Sequence, residues 1–504
     1  MTAASSVAGR AGKHPAIVAA AVGATFLQAV NISIPNAAVR HLQGALSMTD
    51  DELGWLFSSY IAASAVMMPV TRWLADSYGR KRVFLTSLAI FALGTWLNSL
   101  AIDPLQLVSA RILQGAASGP LAPMALAILL DERPPPHHGR LSLHWTATLL
   151  LGTFSGPTIG GWLAEYFGWR SIFYVSLPVV LCIFVAMALL LSEKRAEARP
   201  DFDFFGFGTF SVGMLALQML LDRGERVEWF ASAEIWLEAI AAWLGFYLFV
   251  VHVFTSEGHF LNKALFKDRN YVLSLVLFFA LGFVLLPTLA LTSPMLEELL
   301  GYPADTTGYL SIPRGAALIG AFLLAWRTPT WLDNRAILII AIALVVYGSW
   351  RMLGYSPLMD WRPVVVAGTI QGLGLGALMP ALTREAFSTL EPRFQPEAIP
   401  LFALTRLYGS TIGIAVVQIY FQANTQTVHL ALGAHLTPFG SAGLGRSGVD
   451  LRSLAMTNEL VTGQAAMIAI IGQFKLLMLV MLAVSPLVFF LQRPRRRDFL
   501  GASR

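Results

Sequence analysis

Long apolar runs, each broken by a few charged or turn-forming residues, recur along the whole chain. A membrane-spanning helix needs about 20 mostly apolar residues. The pattern predicts fourteen such helices, at about 15–36, 53–72, 83–102, 105–129, 142–165, 170–191, 205–221, 235–252, 271–294, 308–326, 336–354, 363–383, 399–422 and 467–491. Lipid offers the backbone no hydrogen-bond partner, so runs of this kind are read as helices. The expected fold class is an all-α polytopic membrane protein. The N-terminal run follows Arg10 and Lys13 as a signal peptide would, but it continues past Asn31 to Pro35 without a clear cleavage site, so it is read as the first membrane helix.

The polar breaks test that reading. With an even number of spans both termini lie on one side. Lys and Arg in the segments assigned to that side outnumber those in the opposite loops by nearly three to one. Such a bias marks the cytoplasmic face. The stretch "TRWLADSYGRKRVFL" (71–85) and the tail "RPRRRDFLGASR" carry much of it. Basic turns of this kind sit against an anionic leaflet.

The chain also repeats. "ILQGAASGPLAP" (112–123) aligns without gaps with "TIQGLGLGALMP" (369–380), at an offset of 257 residues, and "TWLDNR" (330–335) echoes "RWLADSYGR". The expected organisation is 6+2+6: a six-helix bundle over 1–195, a central segment with two extra helices over 196–265, and a second six-helix bundle over 266–504. The last holds a long periplasmic loop at about 423–466, read as a short helix followed by a flexible Gly-rich stretch. Repeated halves are a common basis for alternating access. Gly152, Gly156 and Gly160 fall four apart on one predicted helix, and Gly368, Gly372 and Gly376 on another. Each set offers a face on which helices can pack closely.

Composition narrows the function. The 504 residues are 56% hydrophobic and 13% charged, with net charge +5; soluble domains carry about 25% charged residues. The cations lie in short turns, so a bilayer surface explains them better than nucleic acid. A single cysteine, Cys182, excludes an internal disulfide and makes a cysteine-based metal site implausible. No GxxxxGK phosphate loop, HExxH metal motif or plausible nucleophile triad is found, so neither an enzyme nor a cofactor is expected.

"RWLADSYGRKR" resembles the loop 2–3 signature of the major facilitator superfamily, with Asp76, Gly79, Arg80 and Lys81 at the signature positions. "LVSARILQGAASG" resembles the fourth-helix signature, with Arg111, Gln114 and Gly115. "GTFSGPTIGGWL" resembles the fifth-helix antiporter signature, with Gly152, Gly156, Pro157, Gly160 and Gly161. Fourteen spans with a central pair, together with "FGWRSIFYVSLP", "MLLDRGERVEWF" and "TRLYGSTIGIA", resemble the drug:H⁺ antiporter branch of EmrB/QacA type. The resemblance implies a major facilitator fold and proton-driven export of hydrophobic or amphipathic small molecules. It also implies a bacterial inner-membrane pump that can work with a periplasmic adaptor and an outer-membrane channel. Asp76 would contact Arg80, Arg111 or neighbouring helix ends when the cytoplasmic side is closed, and Arg111 would lie beside a central cavity.

Two positions depart from the family pattern. Phe26 stands where the first helix usually carries an aspartate, and Gly472 where the last helix carries an acid. Nearly all acids are expected in loops or at their edges, leaving only Glu238 within a span. Four cations, Arg111, Arg314, Arg406 and Lys475, fall within spans. A cavity with cations and no deep acid should favour an anionic amphipath. Proton-coupling candidates are Arg111, His144 and Glu238. His144 is there because histidine titrates in the useful range, though such a residue can equally be a hydrogen-bonded neighbour of a helix end. Substrate-path candidates are Gln28, Asn31, Arg111, Gln114, Gln371, Arg406 and Gln418. The uncharged ones among them can equally bond across helices, and Arg406 can cap carbonyls. A narrow, substrate-specific exporter and a transport-dead sensor or partner protein remain as alternatives.

Overall fold

The computed structural model describes residues 15–132, 138–193, 202–224, 228–255, 263–328, 333–391, 394–434 and 451–492. Helices run in order as α1 (Pro15–Ser33), α2 (Val39–Leu46), α3 (Asp50–Met67), α4 (Val70–Tyr78), α5 (Arg80–Leu100), α6 (Pro104–Asp131) and α7 (His138–Phe167). There follow α8 (Ser171–Tyr174), α9 (Ser176–Leu190), α10 (Phe204–Arg223), α11 (Ala233–Thr255) and α12 (Arg269–Pro294). The chain closes with α13 (Ala304–Arg327), α14 (Asn334–Met352), α15 (Trp361–Ser388), α16 (Gln395–Ala434) and α17 (Leu451–Val484). No strand occurs among the described residues.

Twelve described helical segments are long and apolar enough to cross a membrane, and thirteen when α3 and α4, bent by 53° at the Met68–Pro69 break, count as one. Proline at such a break removes a backbone donor and bends the rod. The expected count of fourteen is thus not reached on length and composition. The expected fifth span does form a helix, α7, but is not among the twelve. Its middle, "GTFSGPTIGG", consists mostly of small and weakly polar residues chosen for packing rather than hydropathy. The segment expected as a loop at 423–466 is helical to Ala434 and again from Leu451; residues 435–450 lie outside the described ones.

Two cores form. One is built from α12–α17 with Leu150 and Phe154 of α7 added. The other is built from α1, α3, α5, α6 and α9 with Leu286, Leu407 and Ile414 added. Few residues cross, so the halves meet at a seam. Glycines set the helix spacing inside each half, in matching fashion. A Cβ added at Gly115 would lie 2.3 Å from the Tyr60 carbonyl oxygen, and one at Gly119 2.5 Å from that of Ser64. In the second half Gly372 meets the Arg314 carbonyl at 2.5 Å and Gly376 that of Leu318 at 2.0 Å. The α10–α11 hairpin is peripheral: only 17% of the α11 span is buried, against 78% for α12. Exposed Leu237, Ile240, Trp243 and Tyr247 give it an apolar, lipid-type surface.

Proline placement explains the first contacts across helices. Pro35 has no N–H to offer the Asn31 carbonyl four residues earlier, and α1 gives way there to a 3-10 turn over Ile34–Ala37. Pro157 likewise deprives the Thr153 carbonyl within α7, and the Ser33 hydroxyl donates to that oxygen at 2.5 Å. The carbonyl that Pro157 leaves free is therefore held by α1.

Candidate functional site

The Asn31 carbonyl freed by Pro35 is taken by Arg111, whose Nη1 and Nη2 donate to it at 3.1 and 3.2 Å. Arg111 Nε donates to the Leu56 carbonyl at 3.3 Å and Nη1 to Gln114 Oε1 at 2.9 Å. Its guanidinium lies 4.5 Å from the Tyr60 ring centroid. Gln114 is fully used: Nε2 donates to Asn31 Oδ1 (3.1 Å) and Thr95 Oγ1 (2.8 Å), and Oε1 also accepts from Asn98 Nδ2 (3.1 Å). Arg111, Asn31 and Gln114 are all 0% exposed. Three predicted site residues thus come together in one closed network joining α1, α3, α5 and α6. They border neither of the two inter-half cavities described below; what the structure shows of Arg111 is its hold on the break in α1.

The second half repeats this arrangement with the arginine moved. By the 257-residue offset Arg111 corresponds to Gly368. The glycine contacts make Tyr60 correspond to Arg314. Arg314 on α13 lies against Gly368, whose added Cβ would meet the Arg314 side chain at 3.6 Å. So each half buries one guanidinium between corresponding helices, supplied by opposite partners. Arg314 Nη2 donates to the Leu285 carbonyl at 3.3 Å, and the guanidinium stands 5.9 Å from the Phe154 ring across the seam. Its Nε and Nη1 meet no acceptor among the described residues. Gln371 is buried and donates to Ser349 (3.0 Å) and Thr288 (3.5 Å). Extending the repeat one residue towards the N-terminus would have shown that Arg111 has a glycine, Gly368, as its counterpart.

The antiporter-like glycines serve two faces. Gly152, Gly156 and Gly160 press on α1 and the turn after it. Gly161 faces the other half, 2.1 Å from added Cβ to the Ala304 carbonyl oxygen, and Thr158 Oγ1 donates to the Gly308 carbonyl at 2.8 Å. At the basic end, Gly79 adopts φ 90° between α4 and α5, a conformation that favours glycine. Asp76 pairs with Arg72 on its own helix at 3.7 Å, not with Arg80 or Arg111. Arg80 pairs instead with Asp131 at the end of α6, and Lys81 caps the Ala188 carbonyl of α9 at 2.7 Å. A cation suits the C-terminal end of a helix.

Other candidates scatter. His144 is exposed on α7 and borders neither cavity. Glu238 is buried but bonded to Arg223 at 3.2 Å, closing the α10–α11 hairpin. Arg406 is half-buried on α16, its carbonyl 2.1 Å from a Cβ added at Gly282. Lys475 is exposed. Gln28 is buried, its carbonyl accepting from the Tyr60 hydroxyl at 3.5 Å. Gln418 alone of the predicted path residues borders a cavity, and it borders two. The larger, of about 100 Å³, lies at the seam among Val39, Leu53, Phe57, Leu291, Glu298 and Phe421. That volume suits a few waters and is well short of the 300–1,000 Å³ of about drug-sized sites.

Three acids near helix ends are shielded by packing. Glu297, on a π-helical turn at Met295–Leu299, and Glu385 on α15 are 2% and 3% exposed. Asp222 near the end of α10 borders the smaller cavity. All three were assigned to loops or their edges because each lies close to a helix end in sequence. Only packing reveals the burial of Glu297 and Glu385 and the half-burial of Asp222.

A sequence profile described as Major Facilitator Superfamily matches residues 21–414. The chain belongs to the Major Facilitator Superfamily. Within it, the chain is similar to the multidrug export protein EmrB of Haemophilus influenzae, at 26% identity over 82% of each chain. It is also similar to the fatty acid resistance protein FarB of Neisseria gonorrhoeae, at 28% identity over 94% of each. Among solved structures it resembles a bacterial homologue of the lysosomal transporter Spinster, with TM-score 0.67 and 13% identity over 96% of this chain and 98% of that one. The Escherichia coli xylose transporter XylE gives TM-score 0.57 at 10% identity over 93% and 97%. These last two bear on fold alone. As a superfamily member, this chain is a multi-pass membrane transporter.

Proposed function

We propose that this chain is a proton-coupled exporter of amphipathic or hydrophobic compounds, with a preference for organic anions. One observation carries the preference. Arg314 is buried with no carboxylate partner among the described residues and keeps two donors unbonded. A buried guanidinium without a counter-ion favours a negative group brought to it. The printed name of FarB, a fatty acid resistance protein, agrees with such a substrate. The reading includes fourteen spans, with α7 as one, divided near 195 and 265. It places both termini at the cytoplasmic side of a bacterial inner membrane, as the charge bias favours. It also includes a periplasmic adaptor and outer-membrane channel as partners, with α16 and α17 reaching towards them.

Counterflow in proteoliposomes with an imposed pH gradient tests the substrate class. A naphthalenesulfonate is expected to exchange at least tenfold faster than tetraphenylphosphonium, and Arg314→Gln to remove most of that difference. Strong phosphonium exchange with no sulfonate exchange would overturn the preference.

A further inference from the structure

The inserted hairpin is fastened by two neighbouring residues that turn opposite ways. Arg223 bonds within the hairpin, to Glu234 (2.7 Å) and Glu238 (3.2 Å) on α11. Asp222 turns to the first half: its Oδ2 accepts from Ser58 Oγ on α3 at 2.6 Å, and its carbonyl accepts from Trp55 Nε1 at 3.3 Å. Its Oδ1 accepts from Gln218 Nε2 at 2.7 Å, one turn back on α10. No cation pairs with Asp222 among the described residues. From α3 it faces Trp55 and Ser58, and from α16 Gln418 and Gln422; the acids of α11 nearest in sequence are held by Arg223.

Asp222 also lies where three parts of the molecule meet. It borders a cavity of about 10 Å³, walled by Gly54 and Trp55 of the first half and by Ile414, Gln418 and Gln422 of the second. That is room for about one water. Gly54, Ile414 and Gln418 also wall the larger seam cavity, so the two spaces adjoin. An acid here is next to the surfaces that part in alternating access, and water can reach it through them.

We propose that Asp222 is the carboxylate that carries the exchanged proton, an assignment that rests on the proton-coupled reading above. Ionised, it accepts from Ser58 and Gln218, and α10 is tied to α3. A proton arriving from one aqueous phase through the seam adds to a carboxylate oxygen. That oxygen then becomes a donor, and one of the two bonds must be given up or reversed. The tie across α3 and α10 changes while the seam is open to that phase. When the seam opens to the other phase the same proton leaves and the tie re-forms. One proton crosses, and no covalent bond to carbon is made or broken. The extra helix pair thereby gains a role: it brings an acid to a seam whose first and last helices carry Phe26 and Gly472 at the usual acid positions.

The experiment uses the full chain in proteoliposomes, with pyranine inside to report protons and the naphthalenesulfonate or tetraphenylphosphonium, whichever exchanges, as probe. Asp222→Asn is expected to keep counterflow within threefold of the unsubstituted protein while substrate-driven proton flux falls at least tenfold. Asp222→Glu is expected to restore much of that flux. Glu234→Gln, which breaks a bond within the hairpin, should leave the ratio of protons to substrate unchanged. An Asn variant that still moves protons at the normal ratio would overturn the assignment alone. So would equal loss of counterflow and proton flux in the Asn and Glu variants, which would make Asp222 a brace. An unsubstituted protein that exchanges substrate without moving protons would overturn the coupling reading, and this assignment with it.

Discussion

Arg111→Ala is expected to abolish export while the protein still inserts and purifies. Removing the guanidinium takes a donor from the Asn31 and Leu56 carbonyls and from Gln114 Oε1, which keeps only Asn98. Each unsatisfied buried acceptor costs about 1–3 kcal/mol. The change also removes a buried charge that itself costs roughly 3 kcal/mol on insertion scales. These effects offset, so the loss of stability should be modest. The loss of position is not offset: the break in α1 loses its hold on α3 and α6. Arg111→Lys keeps the charge but cannot fork to the same acceptors, and at least a tenfold loss of export is expected from it too. Counterflow, with gel filtration of the purified variants, checks both. Normal export by Arg111→Ala would remove it from the machinery.

Gly115→Leu and Gly376→Leu should each prevent recovery of a monodisperse protein. The added Cβ would sit 2.3 Å from the Tyr60 carbonyl oxygen in one case and 2.0 Å from that of Leu318 in the other. Backbone cannot swing aside as a side-chain tip can, so α3 would have to leave α6, or α13 leave α15. Overpacking of this kind costs 1–3 kcal/mol or more, typically about the upper end when backbone must move. In the first half it also pulls apart the Arg111–Gln114 network. Gly320→Ala is the control. Nothing lies within 4 Å of its added Cβ, and alanine is the better helix former by roughly 0.5–1 kcal/mol. Its melting temperature should hold or rise slightly. A well-folded Gly376→Leu would mean that the two helices do not pack as closely as described here.

The glycine and proline motifs were legible as positions but not as partners. "GTFSGPTIGG" announces close packing, yet only the fold shows that Gly156 meets α1 within its own half while Gly161 meets Ala304 of the other. Gln114 and Gln371 are matched by the repeat, and both prove buried and bonded to a hydroxyl on the preceding long helix. Asp76 and Arg80 stood in a recognisable signature, but their ion pairs run to Arg72 and Asp131. Charge type does not specify a partner when several lie within side-chain reach.

The sequence by itself determined that this is a helical membrane protein whose chain carries an internal repeat. Hydrophobic length, charge bias and an internal repeat are properties of the chain in one dimension, and lipid reads them directly. Only the tertiary structure decided which polar groups are dry and what they hold. Arg111 holds the break in α1, Arg314 is its displaced counterpart, and Asp222 is a half-buried acid at the seam. Burial depends on which helix lies opposite, and a group two residues from a helix end looks the same in sequence whether water or another helix covers it.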